Sequence, residues 1–199
     1  MRQLLIYSSI LLLFTSCASS YRSVHANKIK YQAINSGDAL EYSYRYDILR
    51  KAGNKKLAKK EDRKNIHLVA FQLKNNTSES LIIGEDIQFY ADNKPLYSLD
   101  VSEPYRALKQ HPWMYALYLP IILTIDLNAN GEDDGKNIPI GLGIGVGNFT
   151  MSMVANKRFA TELFDNYLRG KVIRPGEVKS GLLAFRMNDL APIEISIEE

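Results

Sequence analysis

Oxygen-bearing side chains at alternate positions are the sharpest chemical signal in the chain: Asp126, Asn128 and Asn130, then Gly131, Glu132 and Asp134. Calcium loops place ligands at positions 1, 3 and 5, turn on a glycine at 6, use a backbone carbonyl at 7 and often a water-linked acid at 9. Position 12 is Asn137 rather than a bidentate glutamate, and Asp133 stands where position 8 is usually apolar. Pro139 argues against an ordinary helix directly after the loop. Calcium would therefore bind weakly, and the same residues also suit a plain polar turn. No other cofactor is expected. His25, His67 and His111 have no metal-ligand spacing, and no GxSxG nucleophile elbow is present. Gly141, Gly143, Gly145 and Gly147 lack the GxGxxG spacing of a nucleotide loop. Among 22 carboxylates, acid pairs arise by chance, so the expectation is a protein that is not an enzyme, with an envelope hydrolase as the weakest alternative.

The one cysteine, Cys17, has a different chemistry. It closes an apolar run, Leu4 to Phe14, that follows the positive start Met1-Arg2-Gln3. Roughly a dozen residues are too few to cross a bilayer, which needs about 20, but they have the length of a secretion signal. Thr15-Ser16-Cys17 resembles the lipobox of bacterial lipoproteins, with Phe14 where leucine is usual. The resemblance implies cleavage before Cys17, diacylation of its thiol and acylation of the new amine. It also implies outer-membrane sorting, because Ala18 rather than aspartate follows, and no acidic cluster suggests export to the outer surface. A lone cysteine cannot pair within its chain, and lipidation removes the liability of a free thiol in an oxidising compartment. The expected organisation is a signal peptide over 1–16, a lipidated polar tether over 17–26 and one domain over 27–199.

The elements of that domain follow from patterning. Removing the signal leaves roughly 180 residues, enough for one core. A composition of 46% hydrophobic and 24% charged residues is ordinary for a folded domain, and a formal charge of +3 implies no whole-molecule attraction to nucleic acid. Leu40, Tyr42, Tyr44, Tyr46 and Ile48 alternate with polar residues and predict a half-buried strand. Ile66–Leu73 is apolar on both faces and predicts a central strand. Leu81–Tyr90, Leu96–Leu99, Val178–Met187 and Ile193–Ile197 are further strand candidates. Arg50–Asn65, rich in lysine and arginine, reads as a solvated hairpin tip that is partly helical, or as a patch for lipid phosphates.

The strand rhythm stops over about 100–170. Trp113–Ile125 is almost wholly apolar, and Ile138–Val154 carries no charge. Glycine at every second position leaves one strand face bare or lets helices approach closely. From about Met153 to Leu168 the spacing of Ala160, Leu163, Phe164, Tyr167 and Leu168 predicts an amphipathic helix, with Asn148 as N-cap and Gly170 after its end. Trp113, Tyr115, Leu117 and the four glycines are the candidate interaction residues. Segment 113–154 is read as an apolar cap on the domain, a self-association surface or a hairpin dipping into the membrane.

The run Val69–Asn75, taken with Val172-Ile173-Arg174-Pro175-Gly176-Glu177 and Gly181-Leu182-Leu183-Ala184-Phe185, resembles immunoglobulin-like sandwich domains of bacterial lipoproteins. The resemblance covers about half the mature chain. It implies a mainly β, immunoglobulin-like sandwich with an inserted apolar and helical segment, and an interaction or scaffold role rather than a reaction. The functional expectation is an outer-membrane lipoprotein, facing the periplasm, that binds an envelope protein, the membrane or itself through 113–154. The alternative is a calcium-dependent module. In that case calcium raises the melting temperature and Asp126→Ala abolishes the rise; a parent chain indifferent to millimolar calcium ends the idea.

Overall fold

The computed structural model describes residues 18–31, 33–125 and 136–198. The described chain gathers into two compact units, one of residues 18–21 and 110–157, the other of 22–109 and 158–198.

In the larger unit the apolar run at 66–75 forms the long strand β3 (Ile66–Asn75), buried on both faces. It pairs antiparallel with β2 (Leu40–Arg45) and β10 (Val178–Arg186), and β1 (Ala33–Ser36) adds to the far side of β2. A second antiparallel sheet joins β11 (Ile193–Ile197), β5 (Ile87–Ala91) and β6 (Lys94–Pro95). The turn between β5 and β6 is Asp92-Asn93, both at positive φ, the geometry that two-residue hairpins prefer. A short pair, β4 (Leu81–Ile82) with β9 (Val172–Ile173), completes the unit. The late strands β10 and β11 thus pair with the much earlier β3 and β5.

The two sheets share one core. Phe71 of β3, Phe185 of β10 and Phe89 of β5 form a triangle with ring centroids 5.3–6.0 Å apart. Such pairs add about 0.5–1.5 kcal/mol beyond simple burial. The alternating tyrosines of β2, Tyr42 and Tyr44, and Tyr46 just after it reach across the same core. Tyr42 and Tyr46 donate to the carbonyls of Ile193 and Ala191, and Tyr44 accepts from the Ile193 amide at 2.9 Å. The tyrosine-rich strand therefore ties down the start of β11 through hydroxyls.

The opposite face of β3 and β10 presents Leu68, Ala70, Leu182 and Ala184, all buried, and needs a cover of its own. Helices supply it. α1 (Ile48–Lys51), α2 (Lys55–Lys64) and α3 (Ser102–Leu108) pack on β3. The edge of β10 is closed by the residues after α4 (Ile140–Asn166). The Tyr167 hydroxyl donates to the Leu99 carbonyl at 2.7 Å and accepts from the Ala184 amide at 3.1 Å, while the Leu168 amide donates to Leu182. A side chain at Gly181 would meet the Asn166 carbonyl at 2.3 Å, so this docking depends on glycine.

Several expectations change. The fold is mixed, about 35% helix and 29% strand, rather than mainly β, because the second face of the main sheet is covered by helices. Arg50–Asn65 is no hairpin tip: α2 turns Leu57, Ala58 and Glu61 inward, so its apolar stripe is short but real. Ile48 begins α1 instead of ending a strand. Leu81–Tyr90 is divided by a turn at Gly84, whose φ is +87°, and the edge strand is Lys94–Pro95 rather than Leu96–Leu99. The segment after residue 17 is not a solvated tether, since Ala18, Tyr21 and Ala26 are buried. In the larger unit the Arg22 amide and carbonyl both bond the Asn54 side chain, and Ser23, Val24 and His25 donate to the Glu162 carboxylate.

Two motif segments meet. Asn75, fully buried, donates its backbone amide to Glu177 and accepts from Gly176 at 2.7 Å, while its side chain bonds Thr77, Glu79 and Ile173. The Glu177 carboxylate accepts from the Arg174 amide and Lys179, and these bonds hold it below the usual carboxylate range.

Glu61 is the exception among charges. It is buried, and its Oε1 accepts from the Leu68 amide at 2.8 Å; Arg50 instead pairs with Asp62 at 2.7 Å. Burial pushes the Glu61 carboxyl up from 4.5 to about 8. The native state therefore holds this proton more tightly than the unfolded chain, so its contribution to stability falls as pH rises from about 4.5 to about 8. Glu61→Gln keeps an acceptor for Leu68 and cannot ionise. Denaturant titrations should show the variant equal to the parent near pH 4 and more stable at pH 9 by a few kcal/mol, because each tenfold difference in proton affinity is worth about 1.4 kcal/mol. Equal pH dependence in both chains would refute the assignment.

Candidate functional site in the apolar helical unit

The smaller unit is built from the two apolar arms. A 3₁₀ helix, Pro112–Tyr118, is followed by a turn and by β7 (Leu123–Ile125), which pairs with β8 (Lys136–Ile138). Then α4 starts directly after Pro139. The helix expected from Met153 thus begins 13 residues earlier, at Ile140, and Asn148 lies within it rather than capping it. Proline stands well just before a helix, where no intrahelical partner is needed for its missing N–H.

Four glycines should weaken this helix by about 1 kcal/mol each relative to alanine. Two of them are explained by contact. A Cβ at Gly141 would lie 1.9 Å from the Tyr118 carbonyl oxygen and 2.8 Å from the Ile121 amide nitrogen. At Gly145 it would meet Leu119 at 2.9 Å and the Tyr115 carbonyl at 3.1 Å. Gly143 and Gly147 have open space, and nothing in the structure explains them. Gly141, Gly145, Asn148, Ser152 and Ala155 form the inward stripe, four of them buried and Asn148 partly so.

The outward side is the reverse of a water-soluble helix. Leu142 is 57% exposed, Val146 53% and Met153 52%, and on the 3₁₀ helix Trp113 is 78% and Leu117 70% exposed. The indole of Trp113 stands edge-on to Phe149, 5.2 Å away, joining the two helices into one apolar surface. Tyr115 differs from these neighbours: it is buried and stacks on Tyr118. Of the sequence candidates, then, Trp113 and Leu117 are on the surface, Tyr115, Gly141 and Gly145 form the inner contact, and Gly143 and Gly147 face outward.

Sequence reasoning missed the polar residues that tie residues 18 and 19 into this unit. The Ala18 amide donates to Asn148 Oδ1 at 2.8 Å. Ser19 and Gln110 exchange bonds through the Gln110 side chain, amide to Oε1 at 3.3 Å and Nε2 to carbonyl at 2.7 Å. The Asn156 side chain does the same for the Gln110 backbone, at 2.7 and 2.9 Å. Spacing could have found them: Asn148, Ser152 and Asn156 follow the two inner glycines at helical intervals.

Cys17 and the calcium candidates Asp126, Asn128, Asn130, Glu132 and Asp134 lie outside the described residues. Among the described residues no group of three or more His, Cys, Asp or Glu side chains could hold a metal, and no described helix is long and apolar enough to cross a membrane. In the larger unit a pocket of about 90 Å³ is lined by Gln88, Tyr97, Ser98 and Arg169 among others, with neither His67 nor His111 in its wall. That is well below the roughly 300–1,000 Å³ of ligand sites. His67 is half-buried on β3, and burial holds its imidazole below the usual range. On α2, Lys55, Lys59 and Arg63 repeat at helical spacing on the exposed side, a solvated cationic edge.

The two classes of glycine make opposite predictions. Gly143→Ala should stabilise the chain by up to about 1 kcal/mol through helix propensity, whereas Gly141→Ala should lower its melting temperature and change Trp113 emission. Equal effects at the two positions would remove the close contact from the account. Comparison of the chain with protein-family models, with curated proteins and with solved structures finds no match.

Proposed function

We propose that the chain is a non-enzymatic lipoprotein of the bacterial outer membrane, acylated at Cys17, that holds a binding or scaffold domain at the periplasmic face. The observation that carries this reading is the bond from the Ala18 amide to Asn148. Residue 18 is built into a unit with large exposed apolar side chains, so a mature chain starting at residue 17 would begin at that unit. A solvated signal remnant would have no reason to be held there by side-chain amides. The lipid would supply retention, since each buried CH₂ contributes about 0.8 kcal/mol and two or more chains give stable anchoring.

The larger unit would be the working module. Two antiparallel sheets over one aromatic core, with the turn at Pro175-Gly176 bonded to Asn75, support an immunoglobulin-like relationship elaborated by helices. The calcium alternative rests on the Asp126–Asp134 spacing alone.

Mass spectrometry of the N-terminal peptide tests the proposal. Protein from an outer-membrane fraction should start at Cys17 and carry three acyl chains, and Cys17→Ser should abolish both the acyl mass and cleavage at that bond. A Cys17 thiol that reacts freely with maleimide in the mature protein would overturn the reading.

A further inference from the structure

We infer that the outward face of the helical unit, with Trp113, Leu117, Leu142, Val146 and Met153 as its exposed side chains, is a monotopic membrane-insertion surface whose occupant is the acyl region of a bilayer leaflet. This rests on the lipoprotein reading for its location and on separate observations for its chemistry.

The first observation is inversion. A helix facing water buries its large apolar side chains and exposes polar ones. Here glycine, serine and alanine occupy the buried stripe, while leucine, valine and methionine stand half or more exposed. Small residues inside and large apolar residues outside is the arrangement of helices packed in lipid, where close backbone approach replaces hydrophobic burial. An exposed apolar surface of this kind marks contact with a partner or a membrane.

Charge is the second observation. Ile138–Val154 has no ionisable side chain, so insertion of this face would desolvate none there. Trp113, which joins both helices through Phe149, is of the type that settles at the bilayer interface. The third is where the chain preceding the described residues ends. Ala18 belongs to the same compact unit as this face, its amide bonded to Asn148 of the inward stripe. An acyl group on the preceding residue would be carried by that unit, which favours a bilayer over a second copy of the chain. Since α4 is not apolar over a spanning length, the surface lies in one leaflet.

Trp113 is the chain's only tryptophan and reports on the face directly. The full-length acylated protein would be reconstituted into vesicles of phosphatidylethanolamine and phosphatidylglycerol. The expected result is blue-shifted emission, quenched by lipids brominated on their acyl chains and protected from aqueous acrylamide. Leu142→Asp and Val146→Asp, at exposed positions, should weaken bromolipid quenching several-fold with the far-UV circular dichroism unchanged. Vesicle-bound protein whose Trp113 emits as a water-exposed indole would overturn the inference. So would blue-shifted emission that brominated chains leave unquenched in a protein of dimeric mass, which assigns the face to a second copy. The acyl mass on the Cys17 peptide is read on the same sample. If it is absent, the lipoprotein reading fails by itself, and vesicle binding with bromolipid quenching of the unacylated chain still decides the face: binding supports it, and no binding overturns it.

Discussion

Gly141 has no room for a methyl group, and the character of the smaller unit follows from that constraint. The backbone of Tyr118 and Ile121 comes so close to α4 that any Cβ would overlap a carbonyl oxygen. Contact at this distance requires small residues at Gly141 and Gly145, and Ser152 and Ala155 continue the buried stripe. Once they are inside, the large apolar residues of the same segment can only be outside. The exposed surface is thus the other half of a packing decision rather than a scatter of unburied side chains. Its helix carries a propensity penalty of about 1 kcal/mol per glycine, partly offset by the close packing at two of the four.

Polar side chains do their work in the same interior. Asn148, Gln110 and Asn156 each satisfy backbone groups of an irregular segment: residues 18 and 19, and residue 110 at the entry to the 3₁₀ helix. Buried backbone amides left unpaired cost about 1–3 kcal/mol each, more than a formed bond contributes net. Losing one of these side chains would therefore release the segment it holds. The larger unit uses the same device, with tyrosine hydroxyls on β11 and on the edge of β10, and Asn75 at the Pro-Gly turn.

Alternation and two-sided burial made β2, β3, β10 and β11 legible in the sequence, because strand periodicity depends only on which face meets the core. The helices were harder. α2 buries just Leu57, Ala58 and Glu61, and a stripe that short is masked by seven lysines and arginines over 51–64. The start of α4 was obscured because glycine at every second residue mimics a strand period; the distinction between Gly141 and Gly143 exists only once Tyr118 is opposite one of them. The inner position of Tyr115 beside the exposed Trp113 and Leu117 likewise depends on the 3₁₀ turn. What the sequence could not show was the meeting of residue 18 with residue 148, 130 positions away.

Acylation and an apolar face would not be redundant. Lipid chains would already provide retention, since their binding grows with every buried CH₂, and a few exposed side chains would add little to whether the protein stays on a membrane. A flexible lipid anchor leaves orientation free, however. A second contact whose position is defined relative to the anchor would remove that freedom, and here the definition would come from the bond between Ala18 and Asn148 within one compact unit. On the proposed reading the effect of the face would lie in the orientation and depth of that unit, not in fractionation. On that reading the side-chain amides that bind residues 18 and 19 would have a role where a simple tether would need only length.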